Sequence, residues 1–433
     1  MTGLVTSFGS GAMTNSIGDI IHQAQGYFVI GSNTTEQHPV LGMGVRAAVK
    51  QRGAKLVVAD PRLIPLAELA TIHLRHRPGS DIALLNALMH VIVTEGLYDR
   101  AFVLERTEGF EDLCVSLEQY TPEATAQVTG VAPDLVRRAA RLMADVKPLA
   151  MLYAMGITQH SSGHQNVLAC ANLQMLLGNL GVPGGGVNPL RGQNNVQGAC
   201  DMGGLPNYYP GYQSVATDAA RTKFEAAWGV QLGQNPGLTV VEMTTAALKG
   251  RIKAMYILGE NPMVSDPDLQ HVREALEQLD FLVVQDIFLT ETAALADVVL
   301  PGAAFAEKTG TFTNTERRVQ LVSPAVPTLG EARQDWEIIA EVARRVQGSV
   351  PAAPYGGFAY SSAAMVMEEI AALTPIYGGI CYERLAQQGL QWPCPSSDHP
   401  GTPILHTGKF SRGLGRFVPT DWLPPAEQPD PDY

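Results

Sequence analysis

Short, near-continuous apolar runs alternate along this chain with longer stretches in which apolar positions return at helical spacing. Gly26-Tyr27-Phe28-Val29-Ile30-Gly31 is the first run and Lys55-Leu56-Val57-Val58-Ala59 the second, with a helix-patterned segment over 40–51, closed by Gly53, between them. A strand wet on one face alternates apolar and polar residues. These runs do not, so the strand–helix–strand order predicts a parallel sheet covered on both faces. Gly79-Ser80-Asp81 then opens a long apolar helix reaching about Glu95, with Ser80 at its N-cap and Gly96 as its stop. Two further helices start at Thr121-Pro122-Glu123 and Ala132-Pro133-Asp134, where proline suits the first turn. The pattern returns to strand over 149–153 and to helix over 163–177, and 178–186 is a glycine-rich crossing.

The second half repeats the first. Val57-Val58-Ala59-Asp60 recurs as Val283-Val284-Gln285-Asp286, and at the same offset Leu69, Ala70, Ile72 and Leu74 recur as Leu295, Ala296, Val298 and Leu300. Gly31-Ser32-Asn33 after one strand answers to Gly259-Glu260-Asn261 after the run 252–258. Self-similarity in strand-end loops predicts two related parallel-sheet α/β domains, 1–190 and 191–350, facing a shared crevice. The remainder, 351–433, carries a helical stripe over 363–373 and then a proline- and glycine-rich stretch over 389–433. That composition cannot build a core, so the stretch is either an arm crossing to another domain or an exposed linker.

With 433 residues, 45% of them hydrophobic, the chain is an ordinary globular protein. Its net charge of −12 argues against a nucleic-acid partner, which needs a concentrated positive surface. The five cysteines form no C-x-x-C pair, which excludes a self-contained iron–sulfur or zinc-ribbon site and suits a reducing cytoplasm. No run reaches membrane-spanning length. Neither a G-x-G-x-x-G nor a P-loop follows any strand, no H-E-x-x-H occurs, and the histidines show no hydrolytic constellation. His160 and His164 have zinc-ligand spacing, but Ser161-Ser162-Gly163 between them reads as a helix entrance.

In a parallel sheet, ligands bind beyond the carboxyl ends of the strands, which singles out Gly31, Asn33, Asp60, Gly259, Asn261 and Asp286. Glycine lets backbone approach a pyrophosphate and Asn tolerates a left-handed turn. The two aspartates either stabilise their own turns or accept hydrogen bonds from a ligand. Ser80 and Asp81, at a helix start, suit an anion or a ribose, or plain capping. The segment Asn188-Pro189-Leu190-Arg191-Gly192-Gln193-Asn194-Asn195-Val196-Gln197-Gly198-Ala199-Cys200-Asp201-Met202-Gly203 sets one arginine among amides and glycines, with little to build a core. It reads as a site rather than a scaffold. Arg191 supplies a planar fork for a carboxylate or phosphate, and the alternative is a polar surface loop with an incidental ion pair.

This segment resembles the substrate-site loop of the molybdenum- or tungsten-dependent formate dehydrogenases, within the molybdopterin oxidoreductases. The likeness extends through Gly9-Ser10-Gly11-Ala12-Met13-Thr14-Asn15-Ser16, Gly31-Ser32-Asn33, Val58-Ala59-Asp60-Pro61-Arg62, Gly259-Glu260-Asn261-Pro262 and the stretch from Val284-Gln285-Asp286 to Val298-Val299-Leu300-Pro301. It implies a bis-molybdopterin guanine dinucleotide carrying Mo or W, each repeat gripping one nucleotide arm. Asp60 and Asp286 would each take a guanine edge or a ribose diol. The resemblance further implies that Arg191 fixes the formate carboxylate, that Gln159, His160 and Gln193 lie near the cofactor, and that Thr290 and Asp297 belong to the second nucleotide-contact region. Electrons would leave through a 4Fe-4S cluster to subunits with iron–sulfur or flavin centres. The family's Cys-rich module, its Cys or selenocysteine metal ligand and its C-terminal domain have no counterpart here, the ligand falling a few residues before Met1. The chain is therefore expected to be the central two domains of a catalytic subunit, inactive by itself. A nitrate reductase, which would share the repeats but not the Arg191 loop, and a non-catalytic cofactor scaffold are the alternatives.

Overall fold

Residues 2–347 and 353–425 are described by a computed structural model of the chain, and the end of the proline-rich stretch, 426–433, lies outside them. They divide into two units, one built from the chain up to Asn194 with Thr315–Arg317 and the stretch from Thr402, the other from Asn195–Asn314 and Arg318–Gly401.

The first unit holds five parallel strands: β1 (Gly26–Ile30), β2 (Lys55–Ala59), β3 (Ile72–Leu74), β4 (Leu149–Tyr153) and β5 (Val187–Pro189), in the order β3-β2-β1-β4-β5. β1 is buried along its whole length because it lies mid-sheet with both faces packed. Phe28 and Ile30 join the core formed with α1 (Thr2–Phe8), α4 (Asp81–Thr94), α5 (Pro133–Asp145) and α6 (Gly163–Leu176). Tyr27 and Val29 point the other way, against α2 (Ile17–Gln23) and α3 (Pro39–Arg52). The apolar runs therefore correspond to a sheet covered on both sides. From β1 the chain winds outward through β2 and β3, then returns to place β4 on the other flank, so β1 and β4 border the point where the winding reverses. At such a point the strand-end loops diverge and leave a crevice.

Arg317 ties three distant stretches of this unit together. It is fully buried, and it donates from Nε to the carbonyl of Met13 (2.8 Å), from Nη1 to that of Thr402 (2.8 Å) and from Nη2 to that of Pro403 (3.1 Å). Residues 402–425 are thus part of the first unit, and Asn86 and Asn172 reinforce this by donating to the carbonyls of Thr420 and Val418.

The second unit repeats the strand motif with β6 (Ala254–Leu258), β7 (Phe281–Asp286) and β8 (Val298–Pro301), parallel and ordered β8-β7-β6. The correspondence reaches individual hydrogen bonds. Gly31 N–H donates to the carbonyl of Ala59 and Gly259 N–H to that of Gln285, while Thr71 N–H donates to Leu56 and Asp297 N–H to Leu282. A short 3-10 turn precedes the third strand in each, Ala67–Leu69 and Ala293–Leu295. The packing differs. One face of β6 and β7 is covered through Val272 and Leu276 of α8 (Leu269–Glu277), together with Met263 and Ala293. On the other, Tyr256 and Leu258 are more than 40% exposed and Phe281 46%. The same unit also contains an antiparallel sheet formed by Gly310–Thr313, Arg318–Val322 and Leu390–Gln391.

Candidate functional site

A cavity of about 550 Å³ opens in the first unit beyond the carboxyl ends of β1, β2 and β4. Its walls include Gly31 and Asn33 from the loop after β1, Asp60 and Arg62 from that after β2, and Met155 and Gly156 from that after β4. Gly31 has φ +57°, and a Cβ on it would lie 2.7 Å from the backbone carbon of Gly156. Only glycine lets these two loops touch, and Gly156 N–H completes the junction by donating to the Gly31 carbonyl (3.0 Å).

Asp60 is 5% exposed and its Oδ1 accepts from Arg62 N–H (2.8 Å), an aspartate turn at the strand end. The Arg62 guanidinium stays largely in solvent at the rim, with its Nε 3.8 Å from that same oxygen. Asn33 behaves differently from its counterpart Asn261. Asn261 Oδ1 accepts from the backbone N–H and hydroxyl of Thr292 and its amide donates to Glu291, whereas Asn33 Oδ1 is buried without a partner. The position matching Thr292 at the repeat offset is Leu66, which has no side-chain donor. A buried acceptor is left unspent on a residue of the first cavity's wall.

His38 adds a second. Its Nε2 lies 2.7 Å from the carbonyl of Arg191, and since a carbonyl only accepts, that nitrogen carries the hydrogen. In the neutral ring Nδ1 is then an acceptor, and it is buried without a partner. Deeper in, His76 Nε2 and Asp81 Oδ1 are 3.0 Å apart, both side chains almost wholly buried. Asp81 is the first residue of α4, where the helix dipole favours a carboxylate. Ser80 holds the N-cap position, but its hydroxyl donates to the Arg77 carbonyl (2.6 Å) and caps nothing.

Arg191 is held from both backbone groups. Its N–H donates to the Thr315 hydroxyl (3.0 Å) and its carbonyl accepts from His38, while Nη2 donates to the carbonyl of Gly11 (3.0 Å). Nε is buried and has no partner. The neighbouring residues Leu190 and Gly192 line the cavity. Below Arg191, burial pushes the Tyr153 hydroxyl far above its ordinary range, so it remains protonated. His160 lines the cavity with Nε2 2.9 Å from the Gly156 carbonyl; Gln159 and Gln193 are exposed beside lining residues.

In the second unit Gly259, Asn261, Asp286 and Thr290 gather at the carboxyl ends of β6 and β7. Asp286 Oδ1 accepts from Ile287 N–H (2.6 Å) and Phe288 N–H (3.3 Å), and the Thr290 hydroxyl accepts from Ala293 N–H (3.1 Å). Asp297 does not join them. Its carboxylate accepts from Leu282 N–H (2.7 Å) near the start of β7, at the opposite edge of the sheet.

The amide-rich segment after Arg191 departs from the sequence reading, because its second half is scaffold. Residues Val196–Asp201 form the helix α7, with Gln197, Gly198 and Asp201 buried. Asp201 Oδ1 accepts from Gln197 Nε2 (2.8 Å) and the Tyr212 hydroxyl (2.7 Å), and Oδ2 from the Tyr377 hydroxyl (2.7 Å) and Trp392 Nε1 (2.6 Å). Burial nevertheless pushes its carboxyl up to about 6. Polar composition hid a core made of hydrogen bonds. Sequence reasoning also assigned no role to His38, Arg62, His76 or Met155. Arg62 stood inside a motif already noted, whereas His38 and His76 carried no signal, since only folding brings each to the crevice. No group of three or more His, Cys, Asp or Glu able to hold a metal occurs among the described residues.

The comparisons with known proteins agree with this architecture. The chain is 50% identical over 436 residues to the F420-dependent formate dehydrogenase 1 subunit alpha of Methanococcus maripaludis, matching 100% of this chain and 63% of that one. It is 43% identical over 439 residues to formate dehydrogenase H of Escherichia coli, with 100% of this chain and 60% of that one covered. The chain thus spans less than two thirds of these relatives. Its fold is similar to that of acetylene hydratase from Pelobacter acetylenicus, with a TM-score of 0.69 at 24% identity over 89% of this chain and 54% of that one. The model for molybdopterin oxidoreductases matches residues 5–345, and with the same strand motif present in two α/β units, the chain belongs to the molybdopterin oxidoreductase family.

Proposed function

We propose that this chain is the cofactor-holding portion of a formate dehydrogenase catalytic subunit, binding bis-molybdopterin guanine dinucleotide with Mo or W, and that each repeat grips one nucleotide arm. The first unit fits such a group. Its 550 Å³ cavity has the size of a nucleotide site. Asn33 and His38 line it, and Asn33 Oδ1 and His38 Nδ1 are buried and unsatisfied, each at a cost of about 1–3 kcal/mol that a polar ligand offsets. The Arg62 guanidinium at the rim suits a pyrophosphate, and Asp60 and Asp81 suit the ribose or base. Gly259, Asn261, Asp286 and Thr290 make the corresponding set for the second arm, and Gln159, His160 and Gln193 supply polar contacts at the first cavity's edge. Asp297 has only the resemblance in its favour.

When bound, the metal–pterin group supplies the two-electron acceptor. Formate would lose two electrons and a proton and leave as carbon dioxide, the electrons being taken up by a 4Fe-4S cluster and by subunits with iron–sulfur or flavin centres. A cytoplasmic location completes the reading. The observation that carries the substrate is Arg191, whose guanidinium is anchored on Gly11 yet keeps a buried N–H donor unspent. A fixed fork with a free donor receives a carboxylate in one orientation, and that directs the formate C–H bond. The names of the relatives support the same substrate.

In the enzyme containing this chain, Arg191→Lys keeps the charge and loses the fork. We expect kcat/KM for formate to fall by about a hundredfold or more, near 3 kcal/mol, with metal content, pterin content and thermal stability unchanged. Normal formate kinetics in a fully loaded variant would falsify the substrate role, and a joint fall of stability and cofactor content would make Arg191 a structural residue.

A further inference from the structure

A histidine and a carboxylate are buried together in the wall of the first unit's cavity. The side chains of His76 and Asp81 are 2% and 5% exposed, their contact is 3.0 Å, and both residues line the cavity. A carboxylate only accepts, so the contact needs a hydrogen on His76 Nε2. That donor fixes Asp81 about its terminal torsion, which is otherwise broad and nearly two-fold. The main chain carrying the ring is fixed, since His76 N–H donates to the Leu74 carbonyl (3.0 Å) and Arg77 N–H to that of Thr129 (2.9 Å), and the other ring nitrogen, Nδ1, lies 3.4 Å from the same Leu74 carbonyl.

We propose that His76 is a positioning residue which sets Asp81 to read a purine edge bearing two adjacent N–H donors, making this cavity selective for guanine. Guanine offers N1–H and the N2 amino group side by side, and a fixed carboxylate accepts from both. Adenine turns a ring-nitrogen acceptor toward the same oxygens, and hypoxanthine lacks the amino group. A carboxylate free to rotate would follow whichever base arrived, so selectivity depends on the histidine as well as on the aspartate. The proposal rests on the reading of this cavity as a guanine-nucleotide site.

The test uses the full chain made in a host that lacks molybdopterin, with GMP, IMP and AMP as probes in calorimetric titrations. Wild type should bind GMP more tightly than IMP and should bind AMP least. His76→Leu should reduce the GMP-over-IMP preference about tenfold, which is about 1.4 kcal/mol, with the thermal midpoint little changed. His76→Gln restores a donor and should recover the preference. Asp81→Asn should lose it alone and show no further loss when combined with His76→Leu, because the two act as one unit. Should His76→Leu not fold, His76→Met fills a similar volume without a donor and answers the same question. An unchanged GMP:IMP ratio in the donor-free variant sinks the role of His76 while leaving the cavity reading intact. Failure of wild type to bind GMP sinks the cavity reading, and this proposal with it.

Discussion

Asp201 shows how a single side chain organises its surroundings and what that costs. Four donors converge on one carboxylate, yet its pKa is raised to about 6 from 3.8, because leaving water outweighs them. A folded-state value above the unfolded one means the folded protein holds this proton more tightly. The group's contribution is therefore most favourable below pH 3.8 and is lost as pH rises through 6, by about 3 kcal/mol in total. Asp201→Asn abolishes that titration, and with its one oxygen kept on Tyr377 and Trp392 it turns an amide donor toward Gln197 Nε2, itself a donor. We expect the variant to be less stable than wild type at every pH, by a margin that narrows by about 1 kcal/mol between pH 5 and pH 7.5. Urea unfolding at both pH values measures the margin, and a deficit that stays constant or widens would show that Asp201 does not carry the proton. Asn33 and Asn261 make a related point. Identical in type and in place within the repeat, they differ because Thr292 satisfies one and Leu66 cannot satisfy the other.

At the scale of elements, the two strand–loop motifs share a backbone and differ in what crowds it. Gly31 and Gly259 follow the first strand of their motifs with φ of +57° and +62°. A Cβ on Gly31 would meet Gly156 and Ile157 backbone at 2.7–2.8 Å, whereas around Gly259 there is open space. Gly259→Ala should therefore cost only the left-handed backbone term, about 1–2 kcal/mol. Gly31→Ala adds a clash that no side chain can relieve, for a total of about 2–5 kcal/mol. Equal shifts in the unfolding midpoints of the two variants would contradict this. The strands β1, β2 and β4 and the helices α3 to α6 were legible in the sequence because their apolar runs and caps are local signals: Gly53 ends α3 at φ +72°, and the Thr121 hydroxyl of a neighbouring helix accepts from Ala124 N–H. The helix over Val196–Asp201 was not legible, because its polar residues face inward onto partners about ten to nearly two hundred positions away.

On the scale of the whole molecule, the units hold their sheets in different ways. β1 and β4 are sealed on both faces, while β6 is covered on one, with Tyr256 and Leu258 in contact with solvent, and β8 exposes Val298 and Val299 alike. Local opening needs less apolar surface to be exposed in the second sheet. Native-state hydrogen exchange should then give Val29 and Leu152 amides protection close to the global stability, and Ile257 and Val299 amides markedly less. Comparable protection across both sheets would mean that the open face is covered in solution.

The sequence by itself determined the order of the main strands and helices of the first unit, the two related α/β motifs and the family, because periodicity, glycine punctuation and repeated strand ends are written in neighbouring residues. It also marked Asp60, Asp81, Asp286 and Arg191 as candidates. Which of their atoms are already engaged was decided only by the tertiary structure. Folding spends Asp297 on a strand edge, gives Asn261 a threonine and leaves Asn33 without one. It also seats His76 beneath Asp81 and leaves one N–H of Arg191 unpaired. A hydrogen bond depends on distances of a few tenths of an ångström between residues far apart in the chain, and no local pattern encodes those.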